Sequence, residues 1–299
     1  MAKLLANKYV VLFILALTWG SVFILIKKTL IVFNPIEIGA LRMAISGIAL
    51  LKFGLPALRK MSKRTFLWTA VAGFFGNFFP TFLFPIAQTH VSSSMAGILD
   101  TLVPVFVLVL GLLIFGIKSK IIQAFGAVIG FFGAAVLLYF SQSNAGDSQI
   151  SFALLIVLAT ACYGFSALLV KYRLAHVPSL QLSSGAITIW LIPSFVALFF
   201  SGFFENFESS PSTWEAVGYM MILGIMGTAV CGVLYFKLIQ EVSPVFASSV
   251  TYLLPVVAVI WGLLDGEKFT IWYVLGAALI LFGIYLIREP KIKPQHLPR

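Results

Sequence analysis

The sequence predicts an all-α integral membrane protein: ten transmembrane helices built as two inverted five-helix repeats, with the N and C termini cytoplasmic. Three observations lead there. The 299 residues are 61% apolar and 10% charged, far from the roughly half apolar and quarter charged of a water-soluble domain. Lys and Arg collect in alternate loops, and the second half of the chain repeats the first at a fixed offset.

A helix needs about 20 mostly apolar residues to cross a hydrocarbon core of about 30 Å. In chain order the apolar runs are Tyr9–Ile26; Ile38–Leu51, which carries Arg42; Thr65–Thr89; Val91–Ile117, which carries Asp100; Ile121–Gly146; Ser148–Val170; Val177–Phe204; Ala216–Phe236; Val242–Leu264; and Phe269–Ile287. The first run has the length of a span and no small-residue cleavage pattern, so it reads as helix 1 and not as a signal peptide. Cys162 and Cys231 both fall inside spans, which makes them packed thiols instead of a disulfide or zinc framework. No metal or other cofactor is expected.

The net charge of +10 raises nucleic acid as a partner, but the basic residues are not gathered on one polar domain. They sort by loop. With the N-terminus inside, 16 of the 20 Lys and Arg residues lie on the cytoplasmic side, among them Lys8, Arg59, Lys60, Lys63, Lys171, Arg288 and Lys291. Only Lys27, Lys28 and Lys268 lie outside, and Arg42 is inside a span. This asymmetry sets topology; it places both termini in the cytoplasm and requires an even number of spans. The partners expected are therefore the lipid bilayer and a small solute, with no nucleic acid. The chain has no Asn-x-Ser/Thr acceptor site and short loops, which points to a bacterial cytoplasmic (inner) membrane.

Sliding the second half by 151 positions matches 224–264 to 73–113 without a gap, with 12 identities in 41 positions. Gly73/Gly224, Gly76/Gly227, Val91/Val242, Ala96/Ala247, Leu102/Leu253 and Pro104/Pro255 are among them, so Gly and Pro fall in phase. One inserted residue in the first copy brings Gly126 and Gly133 onto Gly276 and Gly283, and an offset of 144 brings Trp19-Gly20 onto Tyr163-Gly164. The boundaries expected are 9–141 for the first repeat, 150–288 for the second, and a cytoplasmic tail over 289–299. Five helices per copy is an odd number, so the second copy must run inverted. Two inverted halves sandwiching a midplane site is a common plan for membrane transporters.

Within the spans few residues can carry chemistry. Asp100 lies nine residues from Val91, roughly 14 Å deep, where a carboxylate costs at least ~2.5 kcal/mol and usually marks a pathway or relay. It suits proton binding or contact with a solute ammonium. Arg42, seven residues from Pro35 and so about 10 Å deep from the same side, offers an ion pair as the alternative; the repeat partner of Asp100 is Thr251, so any role of Asp100 is asymmetric. Trp19, ten residues into helix 1, and Tyr163 in the corresponding place of helix 6 can line a cavity or simply pack. Tyr252 is a weaker candidate of the same kind. Asn77, matched by Thr228, can hydrogen-bond a solute or, more commonly, a neighbouring helix. Pro104 and Pro255 each remove a backbone bond and kink their helices, as matched hinges or as static bends. Gly126-x3-Gly130-x2-Gly133 has the spacing of a close helix contact, within the chain or between two copies of it as a homodimer. His90, in the turn between helices 3 and 4, reads as an ordinary exposed histidine.

Several of these residues carry a family likeness. With Ala16-Leu17-Thr18-Trp19-Gly20-Ser21, Arg42, Ala96…Leu102-Val103-Pro104, its partner Ala247…Leu253-Leu254-Pro255, and Gly266-Glu267 followed by Gly276 and Gly283, the chain resembles the drug/metabolite transporter superfamily, specifically bacterial exporters with two EamA domains. The resemblance covers about residues 9–288. It implies export of small metabolites, often amino acids, through a central cavity lined mainly by helices 1, 3, 4, 6, 8 and 9, and the aromatic and single-acid content of the spans is compatible with amines as well. One departure is visible: the family's acid after helix 4, represented in the second copy by Glu267, is replaced in the first by Gly116-Ile117-Lys118.

The competing functions are an intramembrane enzyme and a membrane sensor. An aspartyl protease needs a paired carboxylate, and the next candidate, Asp265, falls at the end of helix 9. The chain has neither His-Glu-x-x-His nor a Gly-rich phosphate loop ending in Lys-Ser/Thr, which removes zinc hydrolysis and direct use of ATP. A sensor would carry a sizeable polar output domain; the longest polar stretch here, around 204–215, is short. Secondary transport by alternating access is what remains.

Overall fold

A computed structural model describes residues 7–140 except 119, and 147–287 except 243 and 269. The expected tail over 289–299, Arg288 and Lys3 lie outside the described residues. Among the described residues the chain forms helices and short turns and no strand. Nine helices of the described residues are long and apolar enough to cross a membrane: α1 (Lys8–Thr29), α2 (Pro35–Lys60), α3 (Lys63–Gln88), α4 (Ser93–Phe115), α5 (Ile121–Phe140), α6 (Ile150–Tyr172), α7 (Ser179–Phe200), α8 (Pro211–Glu241) and α9 (Phe246–Leu264). A shorter apolar helix, α10 (Ile271–Ile287), has 17 residues, at the lower end of what spans a bilayer.

Local chemistry sets where the helices start. Asn34 opens α2 with a reciprocal cap, its side chain accepting from the Glu37 N–H while Glu37 accepts from the Asn34 N–H, so two donors that the first turn leaves unpaired are satisfied. Ser62, Ser92 and Ser210 do the same by a single bond for α3, α4 and α8. Pro35 and Pro211 stand in the first turn, where no N–H is needed. Large apolar side chains face outwards along the bundle, Leu113, Ile121, Phe199, Phe200 and Leu264 among them. Such a surface fits hydrocarbon and not water.

The helices pack reciprocally. α1 lies against α8 and α9 while α6 lies against α3 and α4; α2 pairs with α7, and α5 with α10. The two ends of the bundle also fix directions. α1 and α9 finish at the same end, where Lys27 bonds Glu267, and α6 finishes at the end where α8 does, its Lys171 ammonium donating to the carbonyls of Ile239, Gln240 and Val242. The α5–α10 contact runs on glycine. A Cβ added to Gly126 would lie 2.5 Å from the Gly283 carbonyl oxygen, and one on Gly133 would lie 3.0 Å from that of Gly276. The small-residue stripe read in the sequence is thus occupied by α10 of the same chain.

α7 breaks at Trp190, and four other helices change pitch part-way along. α3 makes a π-helical turn over Phe74–Phe78 and α8 one over Ile222–Val230; α4 tightens to a 3-10 turn over Asp100–Leu102 and α9 over Ser249–Tyr252. Pro104 and Pro255 stand in the first turn of the helix that resumes after each 3-10 turn. The missing N–H of each proline therefore falls at a break instead of inside a continuous ladder. The π turns have no counterpart in the sequence expectations.

Candidate functional site

The four changes of pitch surround one internal cavity. It holds about 90 Å³, several times the roughly 10–15 Å³ that one water requires. Its walls come from α1 (Trp19, Val22, Phe23), α2 (Arg42), α3 (Gly76, Asn77, Thr81, Phe84), α4 (Asp100, Val103), α6 (Tyr163, Ser166, Ala167), α8 (Gly227, Thr228, Gly232, Tyr235, Phe236) and α9 (Val250, Thr251). Trp19 and Tyr163 each pack against both of the molecule's large buried apolar clusters.

The lining is written twice in the chain. Trp19, Val22 and Phe23 recur at an offset of 144 as Tyr163, Ser166 and Ala167. These positions are i, i+3 and i+4, one face of a helix. Gly76, Asn77, Thr81 and Phe84 recur at 151 as Gly227, Thr228, Gly232 and Tyr235, and Asp100 recurs as Thr251. Of the predicted site residues, Trp19, Asn77, Asp100, Tyr163, Thr228 and Arg42 come together here. Phe84, Ser166, Tyr235 and Phe236 were missed, although the repeat register applied to Trp19 and Asn77 points to their faces.

Each polar group has a definite station. The Trp19 indole N–H donates to the Gly227 carbonyl at 2.8 Å, an acceptor inside the π turn of α8, and the ring meets Tyr235 edge-on at 5.0 Å. Tyr163 stacks on Phe84 at 6.0 Å. Ser166 Oγ donates to the Ala72 carbonyl at 2.8 Å, just before the π turn of α3. Thr228 Oγ1 donates to the Leu223 carbonyl at 3.1 Å and accepts from Arg42 Nε at 2.7 Å. Both π turns thus lend groups to the cavity, a recurrent use of such turns.

Two expectations are corrected. Arg42 and Asp100 line the same cavity, both 7% exposed, but they form no direct ion pair. Arg42 is turned onto Thr228 instead, and Asp100 Oδ1 is buried without a hydrogen-bond partner in the protein. Matching depth from the membrane face fixes height on a helix but not the direction in which a side chain points. Tyr252 does not line the cavity: Thr251 does, and the next residue of a 3-10 turn points about a third of a turn away. Its hydroxyl lies 3.4 Å from the Ile284 carbonyl of α10, as a donor to it. His90 lies flat on Phe152 at 3.8 Å and bonds Thr89 Oγ1. Cys162 and Cys231 are free and buried. Among the described residues no group of His, Cys, Asp and Glu is arranged to hold a metal.

Comparison with known proteins adds the following. A family model described as EamA-like transporter family matches residues 7–139 and again 150–288. An uncharacterized transporter of Archaeoglobus fulgidus is 27% identical over 287 residues, 94% of this chain and 98% of that one. The uncharacterized inner membrane transporter YedA of Escherichia coli K12 is 28% identical over 283 residues, 92% of this chain and 89% of that one. A crystal structure superposes with a TM-score of 0.65 at 17% identity, covering 94% of this chain and 96% of that one, which speaks for the fold alone.

Proposed function

The chain belongs to the EamA-like transporter family, a multi-pass membrane transporter, and from that premise we propose that it is a secondary transporter that exports small metabolites such as amino acids or amines by alternating access around the midplane cavity. The observation that carries this reading is the cavity wall, contributed by repeat-related faces of both halves, with a buried carboxylate oxygen of Asp100 lacking any protein partner. A buried carboxylate of this kind calls for a proton or a cationic group. Arg42 on another part of the wall adds a positive charge, so a solute carrying both an ammonium and a carboxylate complements the site better than a simple cation does. Trp19, Phe84, Tyr163 and Tyr235 suit an apolar or aromatic side chain on that solute.

In this reading ten spans form two inverted five-helix repeats, with both termini in the cytoplasm of a bacterial inner membrane. The end of the bundle that carries Lys27 and Glu267 then faces outward. Reciprocal packing of the halves lets them exchange conformations, which is how inverted repeats open one side or the other. The breaks before Pro104 and Pro255 are where α4 and α9 would bend. Proteoliposome counterflow with a panel of amino acids and amines, with and without a pH gradient, tests the proposal. Flux of at least one zwitterion or amine is expected; absence of solute-dependent flux for every member of the panel would overturn it.

A further inference from the structure

Glu267, in the turn after α9, joins three helices at one mouth of the bundle. Its Oε1 accepts from the Ser93 N–H at 3.0 Å and the Ser93 hydroxyl at 2.7 Å, and its Oε2 accepts from the Ser94 N–H at 3.1 Å and the Ser94 hydroxyl at 2.6 Å. Lys27 at the end of α1 lies 2.9 Å from Glu267 Oε1 and 2.7 Å from Asp265 Oδ2, and Lys28 pairs with Asp265 as well. The Glu267 side chain is 8% exposed. Beside it, Ser92 Oγ and Tyr273 OH are hydrogen-bonded at 3.1 Å.

The opposite mouth has a related glycine turn with different chemistry. Gly116 and Gly266 both adopt a left-handed conformation, φ 63° and 77°, and the N–H that follows each turns back onto its helix, from Ile117 to Gly111 at 3.0 Å and from Glu267 to Gly262 at 2.9 Å, the first turn being one residue longer. Ile117 therefore occupies the place of Glu267. In the second copy the positions of Ser93 and Ser94 are Pro244 and Val245, residue types with no hydroxyl and, at Pro244, no N–H. Contacts that cross between the halves at that mouth include the Lys8 ammonium over the Phe246 ring at 5.1 Å, the Arg173 guanidinium over Trp68 at 5.2 Å, and Thr65 against His176 at 3.4 Å. These are more exposed and less directional than a carboxylate that accepts four hydrogen bonds from one helix start.

We propose that Glu267, with Lys27, Asp265, Ser93 and Ser94, is a polar latch between the two halves at one mouth only, so that the resting transporter keeps this mouth shut and opens at the Ile117 mouth. The inference rests on the alternating-access reading above. Its test uses the full chain with Cys162 and Cys231 replaced by Ala and a single reporter, Ser166→Cys, on the cavity wall. A membrane-impermeant maleimide is applied to either side of sealed vesicles. The parent should label faster from the Ile117 side. Glu267→Gln should raise labelling from the Glu267 side about tenfold, the scale of losing one hydrogen bond to a charged group, and lower it from the other side. Lys27→Met, which leaves the serine contacts in place, should move the ratio of the two rates in the same direction by less. An unchanged ratio in both variants, or equal rises from both sides, would overturn the latch while leaving alternating access standing. No labelling from either side in any variant would overturn the latch together with the transport reading beneath it.

Discussion

Arg42 donates its Nε to Thr228 Oγ1 at 2.7 Å, across from α2 to the π turn of α8, and does not form an ion pair with the carboxylate that shares its cavity. The consequence is an Asp100 oxygen with no partner in the protein, free to take a proton or a solute ammonium.

Asp100→Asn keeps the size of the side chain and removes the charge. Counterflow of an amino acid or amine by the purified variant is expected to fall about tenfold or more, the scale of one lost charge-assisted contact, and its dependence on pH to flatten. Asp100→Glu, which restores the charge in a slightly longer side chain, should retain part of both. Transport by Asp100→Asn at the parental rate and with the parental pH profile would remove Asp100 from the mechanism.

Thr228 holds Arg42 by accepting from it. Thr228→Val preserves shape and leaves the Arg42 Nε–H buried without that acceptor, which costs about 1–3 kcal/mol. The melting midpoint in detergent is expected to drop, with a weaker apparent affinity for zwitterionic solutes; Thr228→Ser, which keeps the hydroxyl, should stay close to the parent in both. Equal behaviour of the Val and Ser variants would show that the bond does not position the guanidinium.

The charged cluster at the Glu267 mouth predicts an acid-sensitive fold. Hydrogen bonds from Lys27 and Lys28 hold the Asp265 carboxyl below its usual value. Burial pushes Glu267 up, but hydrogen bonds from Ser94, Lys27 and Ser93 outweigh it and leave it lowered as well. A depressed carboxyl stabilises the fold fully above its ordinary value, near 4, and that contribution is lost as the pH falls through the lowered value. The melting midpoint should therefore decline as the pH goes from about 5 to about 3, and decline less in Asp265→Asn. Parallel curves for parent and variant would contradict this assignment.

The spans and the internal repeat are legible in the sequence because hydropathy and the phase of Gly and Pro survive without knowledge of contacts. The cavity is legible in part. Trp19 and Tyr163 were found by repeat register, and the same register marks Val22/Ser166 and Phe84/Tyr235, positions that i+3 and i+4 spacing supplies. Counting residues from a membrane face gave Arg42 and Asp100 similar depths; rotation about the helix axis, which decides the ion pair, is not in that count. The same one-residue rotation separates Thr251 in the wall from Tyr252 outside it. The π turns at Phe74–Phe78 and Ile222–Val230 use the same apolar alphabet as the α-helix around them, so only the hydrogen-bond ladder reveals them.

The α5–α10 pair separates scaffold from site, since neither helix contributes a residue to the cavity wall. A Cβ at Gly283 would lie 2.5 Å from the Gly126 carbonyl oxygen and 2.6 Å from the Gly130 nitrogen. Both neighbours are backbone, so a larger residue forces the helices apart instead of displacing a flexible side chain. Gly283→Leu should cost about 1–3 kcal/mol through overpacking, and Gly283→Ala less, read as successive falls in the melting midpoint. Counterflow measured well below those midpoints should stay near the parental rate in Gly283→Ala, because the walls at Trp19, Asp100 and Tyr163 are untouched. Loss of transport in Gly283→Ala without a fall in stability would mean that the α5–α10 contact moves during the cycle instead of serving as a fixed brace.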